Sequence, residues 1–246
     1  MENGIFVGLS RQMVLRNQMD LIASNIANIS TPAFKSERMV FVEYLAPTED
    51  GETLSYVQDL AQMRDTSEGS FTPTGNTYDL AIKGQGYFAV RTDQGDRFTR
   101  NGHFTLDEAG QLTTSNGYPV LDSGGQPIVI PEGSVNVTIA RDGTISSGAE
   151  EAFETTTEIG QIQLVTFLDE QELTLEGDSL YSSTQAPLPA ANTEILQGMV
   201  EESNVQPVME ITRMIATHRA YEATQNMLEV ADELERLAID VLTRVA

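Results

Sequence analysis

The chain has 246 residues, of which 40% are hydrophobic, with a formal net charge of −23 and no cysteine. This composition is that of a globular protein with a sizeable core, and it excludes a disulfide framework, a thiolate zinc site and a cysteine nucleophile. The strong negative charge argues against nucleic acid and anionic membrane as partners.

The charge is concentrated in the middle of the chain. Residues 1–40 carry four basic and three acidic side chains, and residues 205–246 carry four and seven. The remaining residues carry six basic and 27 acidic side chains, so we expect an acidic, solvated middle between ends that can pack against like ends. The chain start does not resemble a cleaved signal peptide, because Arg11 and Arg16 interrupt its short apolar runs. No run approaches the ~18 apolar residues of a membrane span, so no membrane insertion is predicted.

The first predicted element is a helix from Ile5 to Ile29. Its apolar residues step by 4, 3, 4 and 3, which is the seam of a coiled coil. This N-terminal seam consists of Leu15, Met19, Ile22, Ile26 and Ile29. Because Pro32 disfavours the α conformation at the preceding residue, we expect the helix to end close to Ser30.

The middle of the chain has the pattern of an irregular antiparallel β domain. Short alternating segments are separated by turn signals such as Asn101-Gly102, Asn116-Gly117 and Asp142-Gly143. The stretch 41–76 has weak periodicity and many turn formers, which indicates an extended connector. A second polar stretch, 183–204, leads back to the C-terminal helix.

The last predicted element is a long helix that begins near Val208. Its apolar residues again alternate steps of 4 and 3, giving a C-terminal seam of Ala216, Ala220, Ala223, Met227, Val230, Leu234, Leu237 and Val241. A second stripe broadens the apolar face and consists of Met214, His218, Tyr221 and Leu228. The two seams are the candidate assembly interface, and we favour packing of these seams between molecules over a helical hairpin that packs only within one chain.

These elements predict a discontinuous α+β fold. The N- and C-terminal helices pair as a coiled coil, and an irregular antiparallel β domain lies between them in sequence. Residues 1–40 with 205–246 form the helical domain, 41–76 the extended connector, and 77–204 the β-rich domain with its return segment.

The residues do not predict a catalytic, cofactor or metal site. Gly84-Gln85-Gly86 lies within a strand pattern without a following helix, so we interpret it as a bulge or tight crossing rather than a phosphate cradle. His218 and Glu222 are four residues apart and are expected to make a helical-face contact. Acidic pairs such as Glu201-Glu202 are interpreted as parts of a solvated face. We therefore predict that the chain is not an enzyme.

Three stretches resemble the bacterial flagellar rod and hook proteins. They are IAN at 26–28 followed by TPAFK at 31–35, the run DLAIKGQGYFAV with FTRNGHFTLDEAGQLTTSNGYPVL, and EESNVQPVMEITRMIATHRAYEATQNML. In that family the first stretch is a turn that follows the N-terminal helix, which assigns Asn28, Thr31, Pro32, Phe34 and Lys35 to the family-motif turn. Ala33 departs from the pattern, which usually has glycine there. If that position has a positive φ, alanine costs roughly 1 kcal/mol or more.

The resemblance implies a structural subunit of the flagellar basal-body rod. The opening residues are most similar to the proximal rod branch of the family, and the distal rod branch is the alternative. The implied partners are copies of the same chain, neighbouring proximal and distal rod proteins, and the flagellar type III export apparatus. The implied location is the periplasmic rod, reached without a cleaved signal peptide. Two competing hypotheses lie outside this family. One is a soluble acidic adaptor whose two helices pack only within one chain, and the other is an acidic secreted hydrolase.

Overall fold

The computed structural model describes residues 2–47, 53–149, 152–191 and 193–245, and the chain folds into two compact units. Unit 1 comprises Met1–Ile29, Ser36–Asp65 and Val205–Ala246. Unit 2 comprises Ser30–Lys35 and Thr66–Asn204. The segment that follows the N-terminal helix therefore belongs to the β-rich unit.

Unit 1 contains two long helices that contact each other, α1 (Glu2–Ala27) and α2 (Pro207–Val245). At 1.5 Å per residue they are about 39 Å and about 58 Å long. The predicted pairing of the two terminal helices is confirmed. Within the described residues, neither helix is long and apolar enough to cross a membrane.

Unit 1 also contains a long β-hairpin. Strand β1 (Glu37–Pro47) pairs antiparallel with β2 (Thr53–Arg64), from Glu37 opposite Arg64 to Pro47 opposite Thr53. This hairpin occupies much of the stretch that was expected to be an extended connector, and the expectation is corrected accordingly. The strand sequences are rich in β-branched and aromatic residues, which favour a pleated conformation more strongly than the neighbouring turn formers disfavour it.

Unit 2 is built from short strands. They are β3 (Phe71–Pro73), β4 (Leu80–Lys83), β5 (Tyr87–Thr92), β6 (Gly95–Thr99), β7 (Phe104–Leu106), β8 (Leu112–Thr114), β9 (Ser134–Ile139), β10 (Thr144–Ala149), β11 (Ala152–Gln161), β12 (Leu164–Thr166), β13 (Thr174–Leu175), β14 (Tyr181–Ser182), β15 (Leu188–Pro189), β16 (Glu194–Gln197) and β17 (Met199–Glu201). Two short 3₁₀ helices span Glu170–Glu172 and Gly177–Ser179.

The strands of unit 2 pair in an antiparallel manner, as the turn signals predicted. A six-stranded sheet has the order β13-β14-β6-β5-β12-β15, and the β region includes a sheet that curls into a half-barrel. A three-stranded sheet has the order β11-β10-β9, and the pairs β16-β4, β17-β3 and β7-β8 complete the pairing among the described strands. The pairs β16-β4 and β17-β3 join the end of the unit to its beginning, which closes the discontinuous fold.

Two apolar clusters hold unit 2 together. The larger contains Leu80, Phe88, Phe104 and Leu112, all fully buried, with Phe88 and Phe104 edge to face at 5.1 Å between ring centroids. The smaller is centred on Tyr87, Phe98, Phe167 and Tyr181. Gly102 shows how tight the larger cluster is, since a Cβ at this position would lie 1.6 Å from the carbonyl oxygen of Leu80. Only glycine therefore fits at position 102 without moving the backbone.

Candidate assembly interface

The N-terminal seam lies on the side of α1 that is sheltered within unit 1. Ile22 is buried, and Leu15, Met19, Ile26 and Ile29 are half-buried. The same helix exposes large apolar side chains near its start, with Phe6 63% and Met13 68% exposed. Isolated exposed apolar residues are common, but several along one helix indicate an interaction surface.

The C-terminal seam is turned largely to solvent. Ala216 and Ala223 are exposed, Ala220 is half-buried, and Met227, Val230, Leu234 and Leu237 are each 53–56% exposed. The side chain of Val241 lies outside the described part of the structure. This stripe is therefore not the one that α2 mainly uses for packing in the single chain, although Met227 Cε also lies close to Gly8 of α1.

The sheltered face of α2 is a different stripe. Its members recur at steps of 4, 3, 4, 3 and 4 and are buried or half-buried: Glu210, Met214, Thr217, Tyr221, Thr224 and Leu228. Leu228 faces α1, because a Cβ added to Gly8 would lie 2.6 Å from Leu228 Cδ2. Met214, Tyr221 and Leu228 belong to the second stripe found in the sequence. His218, the fourth member of that stripe, is exposed and lies 3.6 Å from Glu222, the contact predicted for this pair.

Asn25 joins α1 to the hairpin of unit 1. It is buried, its Nδ2 donates to the carbonyl oxygen of Glu37 at 2.9 Å, and its Oδ1 accepts from the amide of Glu37 at 3.0 Å. The side-chain amide thus supplies both hydrogen bonds that a third strand would supply to the first residue of β1. Sequence analysis missed this role, although a polar residue between the apolar positions of a helical seam is a signal for it.

The family-motif turn follows α1. Asn28 donates from Nδ2 to the carbonyl oxygen of Ser24, and the amide of Phe34 donates to the carbonyl oxygen of Thr31. Pro32 is half-buried, and Phe34 is buried in unit 2. These contacts close a compact turn in the place where the sequence predicted the chain to leave the helix.

Ala33 adopts the left-handed conformation within this turn. Its φ is +56°, the region that glycine usually occupies, and its amide donates to the carbonyl oxygen of Glu201 at 2.8 Å. The backbone conformation costs roughly 1–2 kcal/mol for alanine. Burial of the methyl group recovers about 0.8 kcal/mol of this cost, which explains why alanine is tolerated here.

Lys35 ends the motif in a buried charge network within unit 2. Its Nζ lies 2.5 Å from Glu201 Oε1 and donates to the carbonyl oxygen of Ser67 at 2.7 Å. On the other side of the carboxylate, Arg100 Nε lies 2.9 Å from Glu201 Oε2. Burial lowers the pKa of Lys35, and the neighbouring Arg100 lowers it further, while Glu201 and then Glu68 act in the opposite direction.

The burial of Glu201 corrects the interpretation of the Glu201-Glu202 pair as a solvated face. Glu201 is 1% exposed, whereas Glu202 is exposed and accepts hydrogen bonds from the hydroxyls of Ser70 and Thr72. Glu201 is the last residue of β17 and Glu202 follows it outside the strand, and the two carboxylates have opposite environments. Sequence reasoning also missed Arg100 as a buried residue, although it lies within a motif that carried the family resemblance.

The histidine in unit 2 makes a local contact. His103 Nδ1 lies 2.7 Å from Asp79 Oδ1 across an isolated β-bridge, and Asp79 also accepts from Asn76 Nδ2. Among the described residues, no group of three or more acidic or histidine side chains is arranged to hold a metal ion.

Comparisons with known proteins agree with this geometry along the whole chain. The family description flagella basal body rod protein matches residues 5–35, flagellar hook protein FlgE/F/G D1 domain matches 81–147, and flagellar basal body rod FlgEFG protein C-terminal matches 196–241. Flagellar basal-body rod protein FlgF of Caulobacter vibrioides is 43% identical over 251 residues, with both chains fully covered. The chain belongs to the flagellar basal-body rod protein family.

Other relatives support the same assignment of this rod protein. Flagellar basal-body rod protein FlgF of Rhizobium meliloti is 31% identical, with 98% of each chain covered. Flagellar basal-body rod protein FlgG of Bacillus subtilis is 31% identical, with 95% of this chain and 97% of the relative covered.

The rod protein is therefore a structural subunit and not an enzyme. Its similarity to FlgF proteins identifies it as a proximal rod subunit, which confirms the prediction made from its opening residues. Family membership places it in the flagellar basal-body rod and implies assembly with other rod subunits.

Proposed function

We propose that this rod protein polymerises helically through its terminal helices into the part of the drive shaft that transmits torque across the periplasm. Residues 1–40 with 205–246 form the inner layer of the rod, and the β-rich residues 77–204 form the outer layer. The subunit contacts further copies of itself and the neighbouring proximal and distal rod proteins. It reaches the periplasm through the flagellar type III export apparatus.

The observation that carries this proposal is the exposed C-terminal seam. Met227, Val230, Leu234 and Leu237 recur at steps of 3, 4 and 3 on one face of α2, and each residue is more than half exposed. The sheltered stripe that contains Thr217, Thr224 and Leu228 lies on another face of the same helix. A helix with one face already sheltered and a separate apolar face in solvent has that apolar face available for a neighbouring subunit.

The unequal charge of the chain supports the same arrangement. The helical ends are nearly neutral, whereas the residues between 41 and 204 carry six basic and 27 acidic side chains. Apolar, nearly neutral surfaces can stack repeatedly without charge repulsion, and the acidic surface stays in water. Repeated contacts between unlike surfaces that do not close into a ring generate a filament.

A charge on the exposed seam tests the proposal. Leu234→Asp with Leu237→Asp should leave the far-ultraviolet circular dichroism of the isolated subunit unchanged, because both side chains are more than half exposed. The same variant should abolish rods in basal bodies purified from cells, since each buried charge costs several kcal/mol at an apolar contact. The control is Gln225→Asp, which adds a charge at an exposed position on another face of α2.

Export is measured separately as the amount of subunit that leaves the cytoplasm. Rods that contain the double variant at the wild-type yield would contradict assembly through this seam. Cross-linking of the subunit in purified basal bodies identifies the rod proteins that it contacts.

A further inference from the structure

Glu201 connects its own strand to three other segments of unit 2. Its Oε1 accepts from Lys35 Nζ at 2.5 Å and from the amide of Gly69 at 3.0 Å, and its Oε2 accepts from Arg100 Nε at 2.9 Å. Its main-chain oxygen accepts from the amide of Ala33 at 2.8 Å. A carboxylate with this number of charge-assisted bonds has one orientation and fixes the groups around it.

Arg100 attaches this carboxylate to the sheet core. Its guanidinium also donates to the carbonyl oxygens of Ile82, Gly84 and Gly86 at 3.0–3.2 Å, and the side chain is buried. Arginine presents its donors in a rigid fork, so these bonds leave it little freedom. The bend at Gly84-Gln85-Gly86 between β4 and β5 thus supplies two of the main-chain carbonyl oxygens that bind the guanidinium of Arg100.

Lys35 attaches the segment 30–35 to the same carboxylate. This segment continues the chain directly from α1, yet it belongs to unit 2. Besides the Lys35 side chain, it is held by the bond from Ala33 to Glu201, by the buried ring of Phe34, and by the amide of Asn204, which donates to the carbonyl oxygen of Phe34 at 3.2 Å.

We propose that Lys35, Arg100 and Glu201 form a clamp that fastens the chain leaving α1 to the β-rich unit and makes that unit follow the rod when it turns. This inference rests on the proposed function, because it assigns the clamp a mechanical role in a rotating rod. Lys35 and Glu201 are 166 residues apart in sequence, and their ion pair adds to the main-chain hydrogen bonds of Ala33 and Asn204 in resisting separation of these two segments. Without the clamp, segment 30–35 becomes a tether, and a tether transmits rotation to the β-rich unit only after it is stretched.

The first test of the clamp uses the isolated subunit and needs no rod. Lys35 and Ser36 are buried, which protects the bond between them from trypsin, a protease that requires an accessible lysine or arginine side chain. Glu201→Gln should raise the rate of cleavage after Lys35 at least tenfold. The matched control is Glu202→Gln, which alters the adjacent, exposed carboxylate that binds Ser70 and Thr72, and it should leave that rate unchanged.

Hydrogen exchange distinguishes a released segment from an unfolded unit. In Glu201→Gln, and also in Lys35→Met, the amides of Ala33 and Asn204 should exchange at least tenfold faster, while the amides of Leu80 and Leu112 in the core keep their protection. A Lys35 bond that stays resistant in Glu201→Gln overturns the proposal. Equal loss of protection at the core amides overturns it as well, because Glu201 would then support the whole unit rather than fasten one segment.

The second test measures rotation under load. Cells that carry Glu201→Gln should assemble basal bodies with the variant subunit and swim at low viscosity, but their flagellar rotation should fail at a lower viscous load than that of cells with Glu202→Gln. Wild-type performance of Glu201→Gln under load refutes the mechanical role even if the segment is released in solution. Absence of the wild-type subunit from purified rods would instead refute the proposed function. Failure of the clamp proposal and failure of the proposed function therefore give different results.

Discussion

Replacement of Asn25 by alanine tests how the hairpin of unit 1 is attached to α1. The substitution removes the two hydrogen bonds between the side-chain amide and the main chain of Glu37, at 2.9 and 3.0 Å. A net bond contributes about 0.5–1.5 kcal/mol, and a buried main-chain group left without its partner costs about 1–3 kcal/mol. We expect Asn25→Ala to lower the local free energy of opening by about 2–4 kcal/mol.

The assay is hydrogen exchange at the amide of Glu37 in the full chain. A loss of about 2–4 kcal/mol corresponds to roughly 30- to 900-fold faster exchange, since about 1.4 kcal/mol is a factor of ten. Asn25→Asp should behave similarly, because it keeps the acceptor but places a carboxylate oxygen against the carbonyl oxygen of Glu37. The control Asn28→Ala removes a more exposed bond to Ser24 and should change the rate less than tenfold. Undiminished protection of Glu37 in Asn25→Ala would refute the role of Asn25.

Two further predictions concern unit 2. Gly102→Ala should lower the free energy of unfolding, measured by urea denaturation, by more than about 3 kcal/mol, because its Cβ would lie 1.6 Å from Leu80 O. The control Gly117→Ala, at φ +84° with open space around it, should lower it by only about 1 kcal/mol. Similar losses for both variants would contradict the steric explanation. The lowered pKa of Lys35 means that the unfolded chain binds the lysine proton more tightly than the folded chain does. The wild type should therefore gain stability relative to Lys35→Met as the pH rises through the lowered pKa of the folded state towards 10.5, the ordinary pKa of lysine, and should lose that gain as the pH falls. Urea denaturation from pH 7 to pH 10.5 measures this difference in stability between the two proteins. Burial raises the pKa of Tyr78, which has the opposite effect on stability, but this effect cancels because both proteins contain Tyr78. A stability difference that is independent of pH would show that Lys35 keeps an ordinary pKa.

The sequence by itself determined the elements that depend on local pattern. Helical spacing of apolar residues located both terminal helices, and Pro32 marked where the first one ends. The Asn116-Gly117 and Asp142-Gly143 pairs located tight turns of an antiparallel β region, whereas Asn101-Gly102 does not form one. The family motifs then indicated a rod protein. These features could be predicted because each depends on residues within one or two turns or strands.

Only the tertiary structure decided which side chains are sheltered. The two stripes of α2 have similar heptad spacing, so periodicity could not show that Thr217, Thr224 and Leu228 lie on the sheltered face while Leu234 and Leu237 remain exposed. Similarly, Glu201 and Glu202 are chemically identical in the sequence. Glu201 is buried because Lys35 and Arg100, from distant parts of the chain, compensate its charge, whereas Glu202, the next residue after β17, is exposed and binds the hydroxyls of Ser70 and Thr72. Local sequence thus determined where the helices and turns lie, and contacts between distant segments decided which of their side chains form the core and which remain free for assembly.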